Sequence, residues 1–223
     1  MATIEKHLLS QLTHHLRSPF NGIIGFSDLL ANHFDKLGDN DKRNYIQIVN
    51  QLSKKALLRS ENLAWWLKIY FENITLVKQN LDLTDLIKEE LSYFNNEIEH
   101  QQLDLMLELN DNIIINADKV MIQSVIKNLL LNIIEYTPVG EMVMINLSKF
   151  NEHLIQLTML NVCSEIPSEE TINLVNSIRV PDVNAMPNQP GLWTVRTLCA
   201  HMEIPIAMSL KSNQLEVKLS INY

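Results

Sequence analysis

The chain has 223 residues, 46% of them hydrophobic and 20% charged, with a formal net charge of −8 and a pI near 5.3. That apolar content supports one ordinary domain plus a smaller element with a buried core. The acidic balance argues against a nucleic-acid partner, because phosphate backbones are held by clustered Lys and Arg.

The basic cluster of Lys54, Lys55 and Arg59 reads as a solvated helix face. Cys163 and Cys199 stand apart without a Cys-x-x-Cys spacing. That suits a reducing, cytoplasmic setting and no disulfide framework. No signal peptide and no apolar run of about 18 residues stands in the sequence, so no membrane span is expected.

The first predicted element is a helix over about residues 3–34. Leu9, Leu12, Leu16, Pro19, Ile23, Phe26 and Leu30 recur in alternating steps of three and four, a seam for packing against other helices. In that register His14 takes the position furthest from the seam and is expected to face water. His15 points about 100° away from it. Lys36 to Asn40 is a turn cluster, with Gly38 as a helix stop and Asp39 or Asn40 as the next cap. A second helix runs to about residue 72, with Tyr45, Val49, Leu52, Ala56, Leu63, Trp66 and Tyr70 on one side. Two helices alone bury too little, so a second copy is expected to complete a four-helix bundle. Trp65 and Trp66 read as aromatic packing rather than a stacking platform.

From residue 74 the pattern changes. Ile74 to Val77 reads as a short strand, and Asp82 as the cap of a helix reaching about residue 100. Strands are predicted at 103–109, 113–115, 142–148, 154–161, 205–211 and 215–222, with helices at 117–136 and about 190–202. The predicted class is α+β: an antiparallel helical hairpin over 1–73, dimerising as a bundle, followed by an α/β sandwich over 74–223.

Several motifs carry a family likeness. The run His14-His15-Leu16-Arg17-Ser18-Pro19-Phe20-Asn21 resembles the H-box of two-component sensor histidine kinases, whose histidine two places before the Leu is phosphorylated. The stretches at 81–91 and 117–140 resemble the opening and the N-box of that family's ATP-binding domain, which has the Bergerat fold. The likeness implies His14 as phosphoacceptor, with His15, Arg17 and Ser18 beside it. Arg17 would orient the phosphorylated or docked state. His15 replaces the family's usual acidic residue, a base or orienting group for the imidazole, and Ser18 the usual Thr. The likeness also implies a nucleotide site at Asn128, Asn132, Asn161 and Gly191, with Asn132 as a Mg²⁺ ligand if nucleotide binds.

Around those positions the chain departs from the pattern. Ile133 replaces a small Ala, and Glu135 stands where a Lys or Arg faces the phosphates. A carboxylate about 5 Å from a phosphate replaces attraction with repulsion of about 3 kcal/mol at an effective dielectric near 20. Aligned on Ile166-Pro167, the three positions of the family's Asp-x-Gly-x-Gly box hold Asn161, Cys163 and Glu165. The lost glycines cost about 1–2 kcal/mol each wherever φ > 0 is needed. No aromatic residue stands between Phe150 and Trp193, and beyond residue 75 the only glycines are Gly140 and Gly191. The Gly-rich lid is reduced to Gln189-Pro190-Gly191-Leu192-Trp193.

The expected function is phosphoryl relay through His14, to and from response-regulator receiver domains, in a homodimer. No bound cofactor is expected, and Mg-ATP belongs to the alternative of an active histidine kinase. A second alternative is a non-catalytic scaffold that regulates a partner histidine kinase. A surface histidine without chemistry competes with this reading, as does a metal shared by His14 and His15, although neighbours on a helix diverge too far to share one ion. His14 lies near the start of the chain, which leaves open whether the protein is free-standing or a piece of a larger sensor.

Overall fold

The structure, a computed structural model, describes residues 2–72, 74–164, 167–177 and 190–222. The side chains of residues 2–16, 70, 174 and 190 lie outside that description as well. The chain divides into two compact units, Met1–Asn73 and Ile74–Tyr223.

The first unit is a helical hairpin, α1 (Ala2–His33) and α2 (Asp39–Phe71), joined through a short 3-10 turn at Phe34–Lys36. The helices run antiparallel. Phe26 meets Tyr45 with ring centroids 5.4 Å apart, and Gly22 lies against Leu52, so close that a Cβ there would stand 2.5 Å from the Leu52 Cδ1. Gly38 is the N-cap of α2 and makes no side-chain cap, while Asp39 and Asp41 sit in the first turn. The two acids favour the helix through its N-terminal dipole, and the capping expected of Asp39 or Asn40 falls to Gly38.

Helix α1 is continuous although residues 18–28 contain none of the strong helix formers Ala, Leu, Met, Arg, Lys, Gln or Glu. Pro19 costs about 3 kcal/mol in a helix interior, and Gly22 and Gly25 about 1 kcal/mol each. Packing against α2 therefore holds this segment helical. Pro19, which is buried, also lacks the N–H that would bond to the carbonyl of His15.

The second unit begins with β1 (Lys78–Asp82), which pairs antiparallel with β3 (Ile114–Asp118). The strand expected at 74–77 is therefore displaced by one strand length along the chain. Asp82 caps α3 (Leu83–Tyr93), accepting from the N–H groups of Thr84 at 2.8 Å and Asp85 at 3.2 Å. The helix expected through residue 100 breaks at Phe94, and α4 (Asn95–His100) follows. Tyr93, Phe94, Asn95 and Asn96 are all weak helix formers.

Strand β2 (Asp104–Leu109) begins the five-stranded sheet, whose order is β2-β4-β5-β7-β6. Its other members are β4 (Met142–Lys149), β5 (Leu154–Val162), β6 (Ile206–Lys211) and β7 (Gln214–Asn222). β2 runs parallel to β4 and every other pair is antiparallel. One face of the sheet buries Val143, Ile145, Leu147, Ile155, Leu157, Met159, Val217, Leu219 and Ile221. Helices α5 (Lys119–Tyr136) and α7 (Pro190–His201) pack on each other and supply further buried residues, among them Ile122, Ile126, Leu129, Val195 and Leu198. Helix α6 (Glu169–Asn176) was not predicted. Its signal was Ser168, whose hydroxyl accepts the N–H of Thr171 at 3.1 Å ahead of Ile172 and Val175.

Candidate functional site

In the second unit the motif residues gather where the ends of α5 and β5 meet the start of α7. Asp118 fixes the start of α5: its Oδ1 accepts from Val120 at 3.0 Å and Met121 at 3.2 Å, and its Oδ2 from Val77 at 3.0 Å. From that start, Asn128 and Asn132 fall one turn apart on one side. Each amide turns its nitrogen back onto the helix. Asn128 Nδ2 donates to the carbonyl of Ser124 at 2.9 Å, and Asn132 Nδ2 to that of Asn128 at 2.7 Å.

Gly191, in the first turn of α7, closes onto this pair. A Cβ at Gly191 would stand 2.8 Å from Asn128 Oδ1 and 3.6 Å from Asn132 Nδ2. Close packing of two helices thus explains this glycine without reference to phosphates. Asn128 is buried and Asn132 half-buried. The oxygen of Asn132 is the atom a Mg²⁺ would take.

Asn161 is 4% exposed. Its Nδ2 donates to Thr137 Oγ1 at 2.9 Å and to the Val162 carbonyl at 3.0 Å, with Cys163 Sγ at 3.6 Å. Thr137 is buried too. Beside them Ser164 gives both its N–H, at 2.8 Å, and its hydroxyl, at 2.9 Å, to the carbonyl of Tyr136. These bonds tie the end of α5 to the end of β5. Sequence reasoning did not place Thr137, Tyr136 or Ser164 in the site, although Thr137 closes the N-box pattern and was legible there.

Burial pushes the Cys163 thiol up from its ordinary pKa, against the bonds from Asn161 and the Leu215 backbone that pull it down. Cys163 is thus a neutral space-filler where the family has glycine. Ile133 is buried and Glu135 half-buried. Glu165, Ile166 and Gln189 lie outside the described residues. Asn161 turns its amide nitrogen onto its own neighbours, and Gly191 closes onto the two N-box amides. Among the described residues no group of three or more His, Cys, Asp or Glu could hold a metal ion.

In the first unit His14 and His15 belong to α1, but their side chains lie outside the described residues. Arg17 and Ser18 are exposed. No described helix is long and apolar enough to cross a membrane.

No protein-family model matches the chain. Among curated proteins it is similar to the cell-division control histidine kinase PdhS of Brucella ovis, 28% identical over 142 residues. That match takes in 63% of this chain and 14% of PdhS, so the chain spans a small part of its relative. Among solved structures, the Acinetobacter baumannii histidine kinase AdeS superposes with a TM-score of 0.63 at 18% identity, over 94% of this chain and 97% of that one. The histidine kinase ThkA, in complex with the response regulator protein TrrA, gives a TM-score of 0.64 at 22% identity, over 99% of this chain and 62% of that one. A helical hairpin followed by this mixed sheet under its helices defines the class: the fold is that of a histidine kinase core. The relatives in sequence are histidine kinases as well, which accords with the resemblance its motifs carry.

Proposed function

We propose that this chain relays phosphoryl groups through His14 between response-regulator receiver domains and has little or no ATP-dependent autokinase activity. The observation that carries this reading is the internal closure of the nucleotide-site residues. Asn161 bonds to Thr137, and Gly191 packs onto Asn128 and Asn132. Glu135 and Ile133 oppose a bound triphosphate by charge and by bulk.

In the proposed step a ring nitrogen of neutral His14 attacks the phosphorus of a receiver phospho-aspartate. The P–O bond to the aspartate breaks and its electron pair leaves on the carboxylate. The reverse step delivers the group to a second receiver. Arg17, exposed on α1, faces the incoming phosphoryl group as a cation, and Mg²⁺ stays with the receiver. The ThkA–TrrA complex supports a receiver as the partner type. A homodimer is supported by apolar side chains left open on the hairpin. Phe20 and Ile24 on α1 are 48% and 58% exposed, and Ile46 and Leu57 on α2 are 55% and 53% exposed. A second copy would cover both stripes.

The test is incubation with a panel of phosphorylated receivers, native chain against His14→Ala. The reading predicts label on the native chain and none on the variant. Label taken from Mg-ATP instead would make the protein a kinase; label from neither source would make it a scaffold.

A further inference from the structure

The five-stranded sheet ends on β6 at one side and on β2 at the other, and the two ends are finished differently. On β6 a side chain takes the outward backbone groups of Met208. Asn176 Nδ2 donates to the Met208 carbonyl at 2.8 Å, and the Met208 N–H donates to Asn176 Oδ1 at 2.7 Å. That amide stands where a further strand would be. β2 has no such cover. Asp104 and Asn110 donate their N–H groups inwards, to the carbonyls of Glu141 at 3.1 Å and Leu147 at 2.9 Å. The strand period of two then turns the backbone of Leu105, Leu107 and Leu109 outwards. Among the described residues no hydrogen bond meets those groups.

The usual guards of a free strand are missing as well: β2 has no Pro, no Lys and no bulge. Leu105, Leu107 and Leu109 stand beside Val143, Ile145 and Leu147, so they carry the buried face of the sheet to its rim, where Leu107 is 45% exposed. On the other face Asp104 and Glu108 are exposed, and Glu108 holds Asn146 at 2.7 Å with one oxygen, which leaves the second for a partner's cation. From Glu89 to Asp118 the chain contains no Lys or Arg.

We propose that β2 is a docking edge that takes an extended segment of a partner protein as a sixth strand, one that alternates apolar residues with Lys or Arg. The segment's backbone meets the outward groups of Leu105, Leu107 and Leu109. Its apolar side chains lie beside those leucines, and its cations face Asp104 and Glu108. A second copy of this chain does not suit the edge, because it brings the same acids and no cation. The surface belongs to the second unit and does not depend on phosphoryl transfer by His14.

The probe is a capped, fluorescent peptide of alternating Val and Lys, long enough to span β2, titrated against the full-length chain at low salt. The same peptide with its central Val N-methylated, and a Val–Glu peptide, serve as controls. The expected result is saturable binding of the Val–Lys peptide and none of the Val–Glu peptide. N-methylation removes one backbone hydrogen bond and should weaken binding about five-fold. Amide exchange read by NMR should slow at Leu105, Leu107 and Leu109, with little change at Met106 and Glu108, whose N–H groups already point to β4. The double variant Asp104→Lys, Glu108→Lys should bind several-fold more weakly and with less dependence on salt. Absence of saturable binding would overturn the docking edge. So would equal binding of the N-methylated peptide, or slowed exchange without the alternation, either of which would reduce the contact to attraction between charges. Association of the native chain beyond a dimer, with exchange slowed at the same three leucines, would give the edge to a second copy and overturn the foreign strand.

Discussion

Cys199 shows how one buried side chain sets a condition on the whole fold. It is fully enclosed, and burial pushes its thiol up to about 12, only partly offset by Arg196 beside it. In an unfolded chain the thiol titrates near its ordinary value of about 9. Below pH 9 both states keep the proton and stability is at its full value. From about 9 towards about 12 the unfolded chain loses the proton while the folded chain keeps it. Stability then falls by about 1.4 kcal/mol for each pH unit. Urea unfolding between pH 8 and 11 should show this decline, and Cys199→Ala should flatten it while lowering stability at pH 8, where the thiol is protonated in both states. An equal slope in the variant would show that another group causes the decline. The bond between Asn161 and Thr137 joins residues far apart in sequence, so no local pattern announced it.

At the scale of elements, the start of α3 was legible in the sequence. Asp82 was read as a cap, because a cap needs only its own carboxylate and the N–H groups two and three residues on; Asp118 plays the same part for α5 and was not read. The start of α5 still shifted from Ala117 to Lys119, because Ala117 and Asp118 pair with Gln79 and Lys78 in the small sheet. For the same reason β1 lies at 78–82 and not at 74–77. A polar strand, Lys-Gln-Asn-Leu-Asp, is chosen by its partner rather than by its own hydrophobic pattern. The packing of α7 on α5 yields a direct test. Gly191→Ala gains about 1 kcal/mol of helix propensity, but the overlap with Asn128 Oδ1 costs about 1–3 kcal/mol and involves a buried, hydrogen-bonded side chain. The overlap wins, so the variant should melt several degrees lower. A higher melting temperature would mean that α7 does not lie as close to Asn128 as the structure places it.

At the scale of the molecule, the hairpin and the sandwich follow from different parts of the sequence. A seam of apolar residues makes the hairpin, and a sheet with one buried face makes the sandwich. The hairpin leaves apolar stripes open, while the sandwich closes the positions where a kinase would hold its nucleotide on themselves. The proposed function places the chemistry on the hairpin and gives the sandwich a supporting role. Calorimetric titration of the full chain with Mg-ATP, followed by its melting temperature at millimolar nucleotide, tests that division most directly. The account predicts no saturable heat and an unchanged melting temperature. A saturable heat with a melting temperature raised by several degrees, both lost in Asn132→Ala, would contradict it.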